Sequence, residues 1–204
     1  MKVRLILFAL LISLLTSCQA IVMRYYGIKN PDIEKEKTVS NAMSKNKIDN
    51  AHHLKKDKVS SAYIGSLPKV YVFDKDGYQV MLPNCYEMVE ENLYRLVDTI
   101  PDALSADSFR DQFVEENIQL TGDGLQEKEK YDFEVYFYWS VWMGKFNIKK
   151  LRTAQKTIEQ INQSHAQKKI VLIPVNFDFT EEAGWTEPTV NAELRRITEA
   201  NQKQ

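Results

Sequence analysis

The stretch YDFEVYFYWSVWMGKFNIKKLRTAQKTIEQINQSHAQKKIVLIPVNFDF, residues 131–179, decides the fold. Its aromatic run from Phe133 to Trp139 predicts a buried strand, because β-branched and aromatic side chains pack well on a pleated surface. A helical face follows, formed by apolar residues at spacings of three and four: Ile148, Leu151, Ala154, Ile158 and Ile161. A second apolar run, from Ile170 to Val175, completes a strand–helix–strand unit. Such units normally join two parallel strands by a right-handed crossover.

A strand pair is predicted ahead of this unit, at residues 67–80, which read LPKVYVFDKDGYQV. Its apolar run, from Val70 to Phe73, is followed after two residues by Asp76-Gly77, a dipeptide that strongly favours a tight hairpin turn. Helices are predicted at residues 88–97 and 105–118, where apolar residues recur at helical spacing. After Phe179 only a turn and a helix fit, with one apolar face formed by Val190, Leu194 and Ile197. If the sheet is complete, its remaining strands therefore come from the early hairpin.

Charge is nearly balanced over the 204 residues, with 27 Lys and Arg against 28 Asp and Glu. The lysine pairs at 55–56, 149–150 and 168–169 are spread along the chain and are typical of solvated helix faces and turns. A nucleic-acid-binding domain needs a concentrated basic patch. The sequence therefore predicts no nucleic-acid partner.

The first 17 residues have the pattern of an export signal. Lys2 and Arg4 precede the apolar run from Leu5 to Leu15, which is shorter than the ~20 residues of a transmembrane helix. Leu15-Thr16-Ser17-Cys18 follows, with small residues before a cysteine, and resembles the lipobox of bacterial lipoproteins. An ordinary cleaved signal and an uncleaved anchor helix are the alternatives.

The lipoprotein resemblance implies a domain organisation and a location. Residues 1–17 are expected to be removed as a signal peptide, and the thiol of Cys18 to carry the lipid that anchors the chain in a membrane. Gln19, rather than Asp, follows Cys18, which favours the outer membrane of a bacterial cell envelope. Residues 18–60 are charged and weakly apolar, so we expect a lipid-anchored tether there, with a short helix after Pro31. Residues 61–204 are expected to form the folded domain.

The segment YWSVWMGKF, residues 138–146, resembles the active-site segment of thioredoxin-like thiol oxidoreductases, usually written FWASWCGPC. Met143 and Phe146 stand where that family has its two cysteines, and Lys145 replaces the usual proline. The degenerate active-site motif therefore consists of Trp142, Met143, Gly144, Lys145 and Phe146. The resemblance implies an α/β fold, a thioredoxin-like three-layer sandwich.

Pro68, at the start of the predicted hairpin, corresponds to the cis-proline of that family. In the family, however, the strand–helix–strand unit precedes the hairpin, whereas here it follows. Three arrangements are open: a permuted order of the two parts, an N-terminal addition such as larger redoxin domains have, or two half-domains that pair. The short chain after Phe179 favours an arrangement in which the early hairpin completes the sheet.

Thiol chemistry at the motif is excluded by its side chains. In the family, the first cysteine attacks from a helix N-terminus, where its pKa is lowered, and the second resolves the mixed disulfide. The thioether of Met143 and the ring of Phe146 can do neither. Cys85 is then the one thiol of the mature chain. We therefore expect a redox-inactive binding or structural module with an envelope protein or peptide as partner. A thiol redox accessory that uses Cys85 alone is the alternative.

No metal or cofactor site is expected. The pair His52-His53 has no third ligand nearby in the sequence, which indicates a solvated pair. The turn at residues 74–77 has the first aspartates of a calcium loop but not its closing glutamate. A hydrolase triad would have to consist of Ser140, His165 and Asp178. The sequence disfavours it, because Ser140 lies inside the motif and His165 at a polar helix end.

Overall fold

A computed structural model describes residues 21, 23–48, 51–63, 69–80, 89–98, 109–121, 131–165 and 167–202. In chain order they form β1 (Ile33–Glu34), α1 (Glu36–Asn46), β2 (His52–Leu54), α2 (Lys56–Tyr63), β3 (Val70–Asp74), β4 (Gln79–Val80), α3 (Val89–Asp98), α4 (Arg110–Asn117), β5 (Ile118–Gln119), β6 (Phe133–Trp139), α5 (Gly144–Ser164), β7 (Ile170–Asn176), β8 (Phe179–Thr180) and α6 (Glu187–Asn201). Among these ranges, no helix combines the length and the apolar character needed to cross a membrane. The signal residues 1–17, Cys18, Pro68 and Cys85 lie outside the described residues.

The larger sheet has six strands in the order β4-β3-β6-β7-β2-β5. Its three central strands, β6, β7 and β2, run parallel, and β3 and β5 flank them in the antiparallel direction. A second sheet joins only β1 and β8, which are parallel. The expected α/β class is confirmed.

The strand–helix–strand unit of residues 131–179 is confirmed in detail. β6 begins and ends where the aromatic run does, and β7 extends the second apolar run by one residue to Asn176. The two strands pair in parallel over their whole length, from Phe133 opposite Ile170 to Trp139 opposite Asn176. Helix α5 connects them and packs on β7.

The early hairpin supplies two strands of the same sheet, as expected. β3 pairs antiparallel with β6, with Val72 opposite Val135, and β4 pairs antiparallel with β3. The hairpin turn contains Gly77 at φ +87°, a conformation that favours glycine. The amide of Tyr78 donates to Oδ1 of Asp74 at 2.8 Å and closes the turn.

Alternating side chains of β6 divide the core into two halves, because successive residues of a strand point to opposite faces. Val135, Phe137 and Trp139 belong to one half, together with buried residues of α1, α3 and α5. Tyr136 and Tyr138 belong to the other half, with buried residues of α2, α4 and α6. Helices therefore cover both faces of the sheet.

Residues 33–48 and 51–60, within the range expected to be a tether, are part of the folded domain. The short helix expected after Pro31 is α1, and its Val39 is buried in the core. Strand β2 lies between β7 and β5, and the boundary expected between residues 60 and 61 falls inside α2. The sequence does not indicate β2, because three residues, HHL, have neither an apolar run nor a clear alternation. This strand is specified by its neighbours in the sheet.

Candidate functional site

The degenerate motif lies at the carboxyl end of the parallel strands. β6 ends at Trp139, and residues 140–146, here called the motif turn, connect it to α5 and include the first three residues of that helix. The amide of Gly144 donates to the carbonyl of Val141 at 3.0 Å. In open α/β sheets, ligands bind preferentially outside the carboxyl ends of the strands. The motif turn is therefore the first candidate site.

Two buried side chains hold the backbone of the motif turn. The amide of Ser140 donates to Oδ1 of Asn147, in the first turn of α5, at 2.9 Å. The amide of Val141 donates to both carboxylate oxygens of Asp178, at 3.1 and 2.9 Å. Asn147 and Asp178 are 0% and 5% exposed. The shape of the turn is thus fixed from α5 and from the loop that follows β7.

Asp178 is a buried carboxyl group whose hydrogen bonds come from amides. Besides Val141, the side-chain amide of Asn176 donates to Oδ2 of Asp178 at 2.7 Å. Burial raises the pKa of Asp178 from its ordinary value to about 7, and the hydrogen bonds from Asn176 and Val141 oppose part of this rise. The protonation of Asp178 therefore changes near neutral pH, directly beneath the motif turn.

Aromatic rings close one side of the motif turn. The ring of Tyr63, at the end of α2, stacks on Trp142 with 5.5 Å between centroids and on Phe179 with 5.1 Å. Its hydroxyl donates to the carbonyl of Phe177 at 3.3 Å. Burial raises the pKa of the Tyr63 phenol well above its ordinary value, so the ring stays neutral. The side chain of Trp142 is therefore a packing element of the core.

The two positions that correspond to the family's cysteines are occupied by apolar contacts. Met143 is 6% exposed and belongs to the core half on the side of α2, α4 and α6. Phe146 is half-buried and packs edge-on against Tyr26, with ring centroids 5.5 Å apart. Lys145, between them, is exposed. Even the thioether at position 143 is thus shielded from a large substrate.

A segment from the start of the described chain lies across the motif turn. We call residues 23–34 the N-terminal strap. The amide of Lys29 donates to the carbonyl of Trp142 at 2.8 Å. Farther along, Ile33 of β1 lies opposite Phe179 of β8. The strap is therefore fastened to the motif turn after β6 and to strand β8.

Gly144 is required by the close approach of the strap. Its φ is +59°, a backbone conformation that side chains disfavour. A Cβ atom at this position would lie closer than 3.0 Å to the carbonyl oxygens of Tyr26 and Gly27. Gly144 matches the glycine of the thioredoxin-like segment, but here its neighbour is the chain's own backbone. We call the carboxyl edge of the parallel strands, where the motif turn lies, the motif edge. The chain's own strap covers this edge.

The hydrolase triad is not assembled. Ser140 is 0% exposed, and its amide rather than its hydroxyl is engaged by Asn147. His165 follows the last residue of the 21-residue helix α5, which places it roughly 30 Å from the motif turn. Its Nε2 lies 3.7 Å from Oδ1 of Asp98. Asp178 alone of the three lies beside the turn in a position to anchor it.

The histidine pair is in the sheet, so the expectation of a solvated pair is wrong. His52 is 3% exposed, and its Nδ1 accepts the amide of Thr121 at 3.1 Å. Burial lowers the pKa of both His52 and His53, which keeps them neutral. Over the described parts of the chain, no three His, Cys, Asp or Glu side chains form a group that could hold a metal ion.

Sequence reasoning missed the strap and the anchoring role of Asp178. A signal for Asp178 was present, because Asn176 and Asp178 follow a buried strand and alternate with two phenylalanines in the segment NFDF. Polar residues at the carboxyl end of such a strand commonly line a site. The strap has only the dipeptide Tyr25-Tyr26 as a local sign of packing, since its contacts lie more than a hundred residues away.

The positions of Cys18, Pro68 and Cys85 relative to this site lie outside the described residues, and their roles stay predictions. No protein-family model matches the sequence, and neither a curated protein nor a solved structure matches the chain.

Proposed function

We propose that this protein is a lipoprotein of the bacterial cell envelope, held in the outer membrane by a lipid on Cys18. Its folded part is a redox-inactive thioredoxin-like domain that acts as a binding or structural module for an envelope protein or peptide. The proposal for the folded domain rests on the closed motif edge. Met143 is buried, and Gly144 lies against the backbone of the strap.

The arrangement of the sheet supports the thioredoxin-like assignment. That resemblance calls for a strand–helix–strand unit and a hairpin that is followed by a helix. Here β6, α5 and β7 form the unit, and the hairpin β3–β4 joins the same sheet through β6. The helix after the hairpin, α3, packs against α5. Of the three arrangements left open by the sequence, this strand order, with the hairpin first in the chain, favours the permuted one.

The strap supports a module that works without thiol exchange. An oxidoreductase must bring a substrate disulfide to a sulfur at the helix N-terminus. At this position Lys29 of the strap is hydrogen-bonded to Trp142, and Tyr26 covers Phe146. A protein that bound its partner here for thiol exchange would first have to displace its own strap.

The redox part of the proposal is tested by assaying the full chain for reduction of a protein disulfide, with dithiothreitol as electron donor. The expected rate equals that of dithiothreitol alone, for the natural chain and for Cys85→Ser alike. Turnover by the natural chain that Cys85→Ser abolishes would show that the lone thiol is a redox group and would overturn the proposal.

The location is tested by expressing the full chain with labelled palmitate and separating the membranes. We expect the label on the natural chain, in the outer-membrane fraction, and its loss from Cys18→Ser together with release into the soluble fraction. A natural chain that carries no label, or a Cys18→Ser variant that keeps the label, would exclude anchoring through Cys18.

A further inference from the structure

The helical residues just before and at the start of the strap present apolar side chains to solvent. Residues 21 and 23–26 are helical, so Ile21 and Tyr25 lie four residues apart on one face. They are 65% and 73% exposed, the two highest values among the exposed large hydrophobic residues of the described chain. The other three of that group, Tyr94, Phe109 and Leu120, are 37–46% exposed and lie on other elements.

Tyr25 connects this exposed face to the motif turn through ring contacts. The ring of Tyr25 packs edge-on against Tyr26 with 5.1 Å between centroids, and Tyr26 packs in the same way against Phe146 with 5.5 Å. The amide of Ile28 donates to the carbonyl of Met23 at 2.9 Å and closes the helical turn. The rings of Tyr25, Tyr26 and Phe146 thus form a continuous set of contacts from the exposed face to α5.

The sequence before this face says what lies against it. Cys18 is three residues before Ile21, a distance of at most about 11 Å even for extended chain. If Cys18 carries a lipid, Ile21 and Tyr25 lie within reach of the bilayer surface. Tyrosine is enriched at that surface, because its ring is apolar and its hydroxyl is polar.

The charged side chains around this face agree with a lipid surface. Arg24 and Lys29 are exposed in the strap, and Lys145 is exposed next to Gly144, which lies against the backbone of the strap. The acidic residues of the strap, Asp32 and Glu34, lie at its other end, where Oδ1 of Asp32 accepts the amide of Ile33 at 2.8 Å. Apolar and aromatic residues flanked by Lys and Arg are the composition of segments that lie in the interface of anionic membranes.

We propose that Ile21 and Tyr25 insert into the interface of the lipid bilayer and turn the motif edge of the domain toward the membrane. The inference rests on the lipid anchor of the proposed function and adds an orientation to it. The opposite end of the sheet, which carries the hairpin turn at Lys75, then points away from the membrane and is the end offered to a partner. Position 75 is exposed and follows Asp74, which lies opposite Phe133 at the other end of β6.

The test is quenching of a fluorescent label by brominated lipid acyl chains. The full lipidated chain with Cys85→Ser is purified from membranes and reconstituted into vesicles of phosphatidylethanolamine and phosphatidylglycerol. One sample carries the label at Lys145→Cys, and its matched control carries it at Lys75→Cys. We expect bromine to lower the emission from position 145 at least about twofold and to leave position 75 unchanged, because bromine on an acyl chain quenches only a label that comes close to it, and interfacial segments lie about 5–10 Å into the headgroup and acyl boundary.

A further variant, Ile21→Ser with Tyr25→Ser, removes only exposed side chains and leaves the lipid in place. In this background the label at position 145 is expected to lose its quenching while the chain stays bound to the vesicles. Bound chain with equal quenching at positions 145 and 75, or quenching that the double serine variant does not change, would overturn the proposed orientation alone. Chain that stays in solution as Cys18→Ser does would overturn the anchor and the orientation together.

Discussion

The two ends of strand β6 each have a buried carboxyl group, and they stabilise it in different ways. At the amino end, Glu134 is 5% exposed. Its carboxylate accepts hydrogen bonds from Nη1 of Arg110 at 2.7 Å and from the hydroxyl of Tyr136 at 2.9 Å. At the carboxyl end, Asp178 is equally buried, and its hydrogen bonds come from the amides of Val141 and Asn176.

We call the amino end of β6, with Glu134, the structural end, and the carboxyl end, with Asp178, the responsive end, because the charge of its carboxyl group can change with pH. A buried charge that is paired with a cation depends on that partner for its stability. A buried carboxyl group that only amides hold can lose its charge instead, so its stability depends on pH. The responsive end is also the end that carries the motif turn and the strap, whereas the paired end carries the hairpin turn.

The largest expected effect comes from removing the cation at the structural end. Arg110→Met leaves Glu134 buried without its partner, and we expect the free energy of unfolding in urea to fall by about 3–5 kcal/mol. Arg95→Met is the matched control, since the Arg95–Glu91 pair is 51% and 55% exposed, and it should cost under about 1 kcal/mol. Equal losses in the two variants would contradict the structural role of the buried pair.

The second prediction concerns pH at the responsive end. The folded pKa of Asp178 is about 7 against an ordinary value of 3.8, so the folded state binds the proton more tightly. The stabilisation that Asp178 contributes to the folded state has its full value below the unfolded pKa. It is lost as pH rises toward the folded pKa of about 7 and above. From pH 5 to pH 7 the loss is roughly 2–3 kcal/mol.

The variant Asp178→Asn isolates this contribution. His52 and His53 have lowered pKa values and therefore act with the opposite sign in part of the same range, gaining stability as pH rises. The free energy of unfolding in urea is measured for the natural chain and for Asp178→Asn at each pH. The difference between the two should show the pH dependence that Asp178 contributes. A difference that does not change between pH 5 and pH 7 would mean that Asp178 is ionised throughout.

The third prediction tests the closure of the responsive end. Gly144→Ala places a Cβ atom against the carbonyls of Tyr26 and Gly27, and we expect a loss of about 2 kcal/mol with faster proteolysis of the strap. Gly27→Ala is the matched control, because Gly27 has a similar φ of +67° but open space around it. It should cost about 1 kcal/mol and leave proteolysis of the strap nearly unchanged. Equal losses of stability and equal rates of strap proteolysis in the two variants would show that the strap does not lie against Gly144.

The smallest effect is expected for the ring contacts of the strap. Tyr26→Ala removes the edge-on contacts to Tyr25 and Phe146, which together should cost about 1 kcal/mol. Hydrogen exchange should speed up at the amide of Lys29, which is bonded to Trp142, and not at the amide of Tyr138 in the centre of the sheet. Unchanged exchange at Lys29 would mean that the backbone contacts alone hold the strap.

Much of the fold could be predicted, because its centre is built from continuous apolar runs. β6, α5 and β7 have the aromatic run, the helical spacing and the second apolar run within 50 residues, and the hairpin has its Asp-Gly turn. The short strands β1, β5 and β8, of two residues each, and the three-residue β2 were not predictable. β2 is only HHL, and it is buried because β7 and β5 lie on either side of it.

The candidate site was predictable in position but not in its closure. The motif itself places residues 140–146 at the start of α5, where the structure has them. That Gly144 meets the carbonyls of Tyr26 and Gly27 depends on a contact between segments more than a hundred residues apart, which no local pattern encodes. The buried state of Asp178 likewise depends on Val141 and Asn176 both turning their amides toward it.

The most direct test of a binding module without thiol exchange is a cross-linked pull-down of the lipidated full chain from its own membranes, with and without reductant. We predict a partner that is retained in reductant and recovered equally with Cys85→Ser. A partner that reductant releases and that Cys85→Ser fails to recover would demonstrate a mixed disulfide and would contradict the account.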